Sequence, residues 1–288
     1  MKSLELKNRW VLVTGASSGL GREMARVLAR DYGAHLIVVA RRQERLVLLA
    51  SELEKSYGVQ VRVIPADLGR EGEPDRVFAE ATRESNLVGA ILNAGITHFG
   101  NWDELSWEDY QRMHSLNVTS VVRMTTLLLP YLEARAEGGG LLLVSSMAGL
   151  MPIPYQTAYS ATKGFLVNFG CGLHHEMLPR GVSVTTFVPG GIRTEMTDGE
   201  RFNELRGWLM PVDRCAVEAI RAFRGRAYLH SPGFIYRLGS VVSRMLPQRL
   251  FISRVAEQYR RSLQQYRRSL EQKLAHPGAA ASRDTDRR

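Results

Sequence analysis

The stretch Trp10-Val11-Leu12-Val13-Thr14-Gly15-Ala16-Ser17-Ser18-Gly19-Leu20-Gly21 decides the fold. Val11 to Thr14 are a short apolar strand pattern, Gly15 to Gly21 a glycine-rich turn, and Met24, Val27 and Leu28 then continue at helical spacing. A tight turn needs residues without a Cβ penalty. A backbone that approaches a pyrophosphate needs room, and the following helix offers unpaired N–H groups and a positive dipole end to the anion. The spacing is Gly-xxx-Gly-x-Gly rather than the commoner dinucleotide fingerprint. Between a strand and a helix it points to a nucleotide cradle built from Gly15, Ser17, Ser18, Gly19, Leu20 and Gly21.

Working outward, β-rich apolar blocks recur at Leu36 to Ala40, Val61 to Pro65, Ala90 to Asn93, Leu141 to Ser145 and Val182 to Val188, with longer helical patterns between them. Near-continuous apolar strands separated by helices predict a parallel sheet covered on both faces. With a weaker seventh strand at Ala227 to His230, the expected order is 3-2-1-4-5-6-7 with right-handed crossovers. The predicted organisation is a doubly wound α/β domain over residues 1–230, an amphipathic helical extension over 231–276 and a disordered tail over 277–288.

Composition is that of a globular protein: 288 residues, 44% hydrophobic and 23% charged, with a formal charge of +9. The excess of basic residues suits an anionic ligand or surface without choosing among them. Two cysteines, Cys171 and Cys215, form neither a disulfide framework nor a ligand cluster, so no metal is expected. A polar start from Met1 to Trp10 and the lack of a long apolar run lead to a cytoplasmic expectation.

The second strand ends in Ala40-Arg41-Arg42. An NAD site of this architecture places a carboxylate there for the adenosine ribose, and that carboxylate would repel a 2′-phosphate. Arg41 and Arg42 stand in its place, and a guanidinium meets phosphate with a planar fork, so NADP is the expected cofactor. Further along, Tyr159 and Lys163 lie at i, i+4 spacing in a helical stretch, on one face. A nearby ammonium favours a phenolate, and Lys163 is expected to lower the pKa of Tyr159 toward the working range.

Over roughly Asn8 to His230 the sequence resembles the short-chain dehydrogenase/reductase family. The resemblance rests on the glycine-rich turn from Thr14 to Gly21, Asp67 after the third strand, Asn93-Ala94-Gly95 after the fourth, Asn117, Ser146, Tyr159-x-x-x-Lys163 and Pro189-Gly190, in that order. It implies a Rossmann-type sheet and a catalytic tetrad of Asn117, Ser146, Tyr159 and Lys163. Ser146 would hydrogen-bond the substrate carbonyl, Tyr159 deliver the proton, Lys163 assist it and bind the nicotinamide ribose, and Asn117, in the preceding long helix, hold a water. Ser145 is the competitor for the serine role, and the family spacing favours Ser146. Asp67 and Leu68 are expected near the adenine, and Asn93, Ala94 and Gly95 to support sheet and cofactor. Pro189, Gly190, Ile192 and Thr194 are expected at the carboxamide. The effect of Gly191, where the family often has a larger residue, is left open.

The expected activity is NADPH-dependent reduction of a carbonyl, or the reverse oxidation of a secondary alcohol, with a bulky or lipid-like substrate. His98, Met147, Tyr155 and the segment from Glu195 to Met210 would build the pocket, with Phe202, Leu205, Trp208, Leu209 and Met210 as an apolar lid. The alternative is a non-catalytic NADP-binding sensor on the same fold. No nucleic-acid partner is expected. In the extension, the pattern from Phe234 to Leu246 is interrupted by Pro247, and Ile252, Val255, Tyr259, Leu263, Tyr266, Leu270 and Leu274 form a stripe apart from several arginines. Such a stripe packs on its own domain, pairs subunits or lies on a membrane. A homo-oligomer with at most peripheral, salt-sensitive membrane association is expected.

Overall fold

The computed structural model describes residues 2–83, 86–135, 138–197, 209–233 and 248–275. Seven parallel strands, β1 (Trp10–Thr14), β2 (His35–Ala40), β3 (Val61–Pro65), β4 (Leu87–Leu92), β5 (Gly139–Val144), β6 (Val182–Phe187) and β7 (Leu229–His230), form one sheet in the order 3-2-1-4-5-6-7. This is the doubly wound arrangement expected from the apolar blocks. Among the described residues the α-helices are α1 (Gly19–Tyr32), α2 (Gln43–Tyr57), α3 (Glu73–Thr82), α4 (Trp107–His114), α5 (Ser120–Glu133), α6 (Thr157–Met177), α7 (Val212–Arg224) and α8 (Gln248–Ala275).

Alternation along β1 divides the core into two layers. Val11 and Val13 face the layer that holds Met24 and Leu28 of α1 with Ile220 and Phe223 of α7. Leu12 faces the other, with Met124 and Leu128 of α5 and Leu166 of α6. Strands β4, β5 and β6 are buried at every position, as helices on both faces require.

β4 and β5 start earlier than their apolar runs suggested: β4 carries Gly89 at its third position and β5 opens on Gly139-Gly140. Gly89 pairs with Gly140 across the two strands, and a Cβ at Gly89 would stand 2.6 Å from Cζ of Phe223. The missing side chains therefore admit the α7 phenylalanine against the sheet, a packing reason invisible to a hydropathy pattern.

The second extension helix is present as α8, whereas the predicted helix over Phe234 to Leu246 and the tail over 277–288 lie outside the described residues. Within α8, Leu263 is only 6% exposed, and Ile252, Val255, Tyr259 and Tyr266 are half-buried. Arg254, Arg260, Arg261, Arg267 and Arg268 are exposed. No helix among the described residues is long and apolar enough to cross a membrane.

Candidate active site

The carboxyl ends of β1, β2, β4, β5 and β6 open into one cavity of about 670 Å³. At one end of it, Gly15 takes φ +68°, and a Cβ on Gly21 would stand 2.4 Å from the Gly15 carbonyl oxygen, so the turn closes only with glycine at both places. Ser18 precedes α1 in extended conformation without capping it through its side chain, and the first turn of α1 carries no acid. Gly19 and Leu20 line the cavity, so the helix offers its N–H groups and dipole to an anion.

Arg42 reaches this turn from the end of β2. Its Nη2 donates to Oγ of Ser17 at 3.0 Å and of Ser18 at 2.6 Å. Glu195 accepts from Arg42 at 3.1 Å and from Arg45 at 2.7 Å, while Arg41 is exposed at the cavity rim. The donor set of guanidinium, two hydroxyls and a helix N-terminus fits a nicotinamide dinucleotide, with Glu195 as the anion now held by the arginines.

Asp67 and Leu68 line the cavity beyond β3, and Asp67 accepts from the Gly69 N–H at 3.3 Å. Asn93 ties two strand ends together: its side-chain amide donates to the Thr14 carbonyl at 3.0 Å and its backbone N–H to the Thr14 hydroxyl at 2.9 Å. Ala94 donates to the same hydroxyl at 3.1 Å, and Gly95 faces Asn117. Pro189, Gly190, Ile192 and Thr194 follow β6 along the cavity wall. Gly191 accepts from the Met210 N–H at 2.9 Å, and a Cβ there would stand 2.7 Å from Leu209. Glycine at 191 thus lets the chain returning at 209–210 close against the wall.

Ser146, Tyr159 and Lys163 meet at the far end. α6 lies against the turn Met147–Gly149 that leaves β5, so its first two turns face the end of β5. Ser145 is buried and donates to the Lys163 carbonyl at 2.7 Å, which occupies it structurally. Ser146 stands in the cavity wall, its Oγ accepting from the Ala148 N–H at 3.1 Å. Lys163 is 4% exposed; its Nζ donates to the Val144 carbonyl at 2.9 Å and lies 5.8 Å from the centroid of the Tyr159 ring. Burial pushes the Lys163 ammonium down to about 8.

Two expectations need correction. Lys163 does not lower the Tyr159 phenol here: burial raises it, hydrogen bonding to Ser146 opposes that rise, and the nearby Tyr259 adds to it. The lysine sits beside the ring and is itself desolvated. Asn117 is not inside a regular long helix but in a π-helical turn, Ser115–Thr119, between α4 and α5. Its carbonyl oxygen accepts from the Ile96 N–H at 2.9 Å, and its amide donates to the Ile96 carbonyl at 2.9 Å and the Thr162 hydroxyl at 3.1 Å. The side chain is engaged in joining the loop after β4 to α6.

The expected pocket is also redrawn. Met147, Glu195 and Leu209 line the cavity, but His98 and Tyr155 do not. The His98 ring turns to the Asn101 carbonyl, and Tyr155, at φ +64°, accepts from the Gly100 N–H at 2.9 Å. Lid residues Phe202, Leu205 and Trp208 lie outside the described residues. Missed by the sequence reading were Met151, Ile153 and Gln156 around the turn into α6, and Val255, Gln258 and Tyr259 of α8. The i, i+3, i+4 spacing of the last three marked one helix face, but nothing in it said which surface that face would meet. Among the described residues no cluster of His, Cys, Asp or Glu could hold a metal.

The pattern of the short chain dehydrogenase family matches residues 9–204. The chain is 36% identical over 195 residues to the very-long-chain 3-oxoacyl-CoA reductase of Anas platyrhynchos, covering 65% of this chain and 61% of that one. It is 32% identical over 199 residues to the 17-beta-hydroxysteroid dehydrogenase type 3 of Rattus norvegicus, covering 67% and 63%. A protein of Pongo abelii named inactive hydroxysteroid dehydrogenase-like protein 1 is 28% identical over 205 residues, covering 70% and 62%. The match thus spans about three fifths of the length of these relatives. A short-chain dehydrogenase from Sphingobium yanoikuyae in complex with NADPH superposes with a TM-score of 0.72 at 28% identity, over 84% of this chain and 94% of that one. The glycine turn at one end of the cavity and the Ser146, Tyr159 and Lys163 group at the other are thus features of a chain that belongs to the short-chain dehydrogenase/reductase family of oxidoreductases.

Proposed function

We propose that the protein is an NADPH-dependent reductase of bulky or lipid-like ketones, or in reverse a dehydrogenase of the matching secondary alcohols. One observation carries this reading: a single cavity runs from the Arg42, Ser17 and Ser18 cluster to Ser146 and Tyr159, and its far end is walled by Ile96, Met147, Met151, Ile153, Leu209 and Val255. An apolar space beside a proton donor suits a large ketone better than a small polar one. The acyl and steroid carbonyl chemistry in the names of two relatives supports the same class.

The nicotinamide, when bound, supplies or accepts the hydride. Ser146 Oγ donates a hydrogen bond to the substrate oxygen as negative charge gathers there. Tyr159 Oη transfers its proton to that oxygen, and its raised pKa keeps the phenol protonated at neutral pH, the state that reduction needs. Lys163, anchored by the Val144 carbonyl with its Nζ 5.8 Å from the Tyr159 ring centroid, would hold the nicotinamide ribose through its ammonium. At the other end, Arg41 and Arg42 receive the 2′-phosphate.

The test is oxidation of NADPH by a panel of ketones, with Tyr159→Phe as control. The variant keeps the ring and loses the proton, so turnover is expected to fall by at least about a hundredfold while NADPH still binds. The second reading, a cofactor-binding protein without turnover, draws on the relative named inactive; it predicts no oxidation by any ketone in either form. For assembly we propose a homo-oligomer, supported by exposed Trp107 and Tyr110 on α4 and Phe165 on neighbouring α6 and read by light scattering.

A further inference from the structure

We infer that Tyr259 of α8 is a substrate-contacting residue, and that it selects, among bulky ketones, those carrying a second hydrogen-bonding oxygen away from the reacting carbonyl. This inference deepens, and rests on, the ketone-reductase reading.

Tyr259 lines the same cavity as Ser146 and Tyr159, although it lies a hundred residues further along the chain. Val255, one turn earlier, and the adjacent Gln258 line it too, so α8 forms a wall of the pocket. Two contacts tie this wall to the segment that follows β4. The Tyr259 ring packs edge-on against Phe99, with centroids 5.2 Å apart and planes at 86°. Two turns further on, Arg267 pairs with Glu104, whose carboxylate also accepts from the Asn101 N–H at 3.2 Å. Both anchors lie on the segment that follows β4, whose Ile96 is bonded to Asn117. The C-terminal helix is thereby tied to the loop that borders the reacting end of the pocket.

The Phe99 contact uses the Tyr259 ring and leaves the hydroxyl spare. Among the described residues none hydrogen-bonds that hydroxyl, although a largely buried tyrosine ordinarily finds a partner for its O–H. Burial raises the phenol's pKa, so it stays neutral and can both donate and accept. The nearby walls contributed by Val255, Met151 and Ile153 offer no polar side-chain partner, whereas Gln156 is already bonded to Thr97 at 3.3 Å. Beside the adjacent Gln258 and among apolar Val255, Met151 and Ile153, this neutral donor and acceptor recognises an oxygen on a large apolar ligand.

Tyr259→Phe is the deciding variant, because it keeps the ring and its contact with Phe99 and removes only the hydroxyl. Two matched pairs serve as probes: ethyl 3-oxodecanoate against 3-decanone, and 3β-hydroxyandrostan-17-one against androstan-17-one. With NADPH as reductant, kcat/KM for the oxygenated member of at least one pair is expected to fall about five- to tenfold, through KM, with kcat and NADPH affinity unchanged. The plain ketone of that pair is expected to be unaffected. Equal losses for both members, or no loss for either, would overturn the inference and leave Tyr259 a packing residue. If the wild type reduces none of the four, the reductase reading fails separately. Calorimetric binding of the same pairs to NADPH-loaded protein then decides: a preference for the oxygenated ketone that Tyr259→Phe abolishes upholds the role, and its absence ends it.

Discussion

The glycine turn at one end of the cavity and the α8 wall at the other do their work by opposite means. From Gly15 to Gly21 the geometry is set within seven consecutive residues, and the chemistry offered to a phosphate is mostly backbone. At α8, side chains from residues 255–259 meet a surface made by residues 96–104 and 147–159, and only packing brings them there. A binding function built on backbone tolerates almost no substitution at its glycines. One built on side chains at the end of the chain can be retuned one residue at a time.

Gly21→Val breaks the first region most severely. Its Cβ would fall 2.4 Å from the Gly15 carbonyl and 2.6 Å from the Asn93 amide, and backbone cannot yield as a flexible side chain does. Loss of measurable NADPH binding is expected, together with about 1–3 kcal/mol of stability from overpacking, by calorimetry and denaturant titration. Survival of cofactor binding in that variant would mean that the turn does not hold the pyrophosphate.

Lys163→Met separates function from stability at the junction between the two regions. The ammonium is shifted from its ordinary 10.5 to about 8, so at neutral pH the folded protein holds a charge that burial disfavours, at a cost of about 3 kcal/mol. The pKa is depressed for a base, so this destabilisation is present below about pH 8 and fades as the pH rises from there toward the unfolded value. Against the lost bond to the Val144 carbonyl, the variant is expected to gain about 1–2 kcal/mol at pH 7 and to lose turnover. In the wild type, kcat/KM for reduction should decline as pH passes about 8 and Lys163 sheds its proton. A flat profile from pH 7 to pH 9.5 would remove Lys163 from that role.

At the cofactor end, a finer test uses Arg42 and Glu195. Arg41→Ala with Arg42→Ala should reduce the NADPH-over-NADH preference about tenfold or more, as charge-assisted bonds to the 2′-phosphate are lost. Glu195→Gln should act oppositely, tightening NADPH about two- to fivefold by releasing Arg42 and Arg45 from a competing carboxylate. An unchanged cofactor ratio in the double variant would place the phosphate elsewhere. The smallest effect belongs to the α8 anchor. Glu104→Gln leaves an exposed arginine unpaired, so about 0.5 kcal/mol of stability and at most a twofold rise in ketone KM are expected.

The sequence alone determined what depends on near neighbours. Apolar runs alternating with helical patterns dictated the parallel sheet and its strand order, because each crossover must lay a helix on the sheet. Glycine spacing dictated the turn, and i, i+4 spacing put Tyr159 and Lys163 on one face of α6. Tertiary structure decided the rest. It used Gly89 of β4 and Gly140 of β5 to admit Phe223, placed Asn117 in a π-turn, turned His98 and Tyr155 from the cavity, and raised the Tyr159 phenol rather than lowering it. It also chose, among the surfaces open to the α8 stripe, the mouth of its own active site. An amphipathic pattern specifies that a face must be covered but carries no address, and a pKa depends on desolvation that exists only after distant segments have closed around the group.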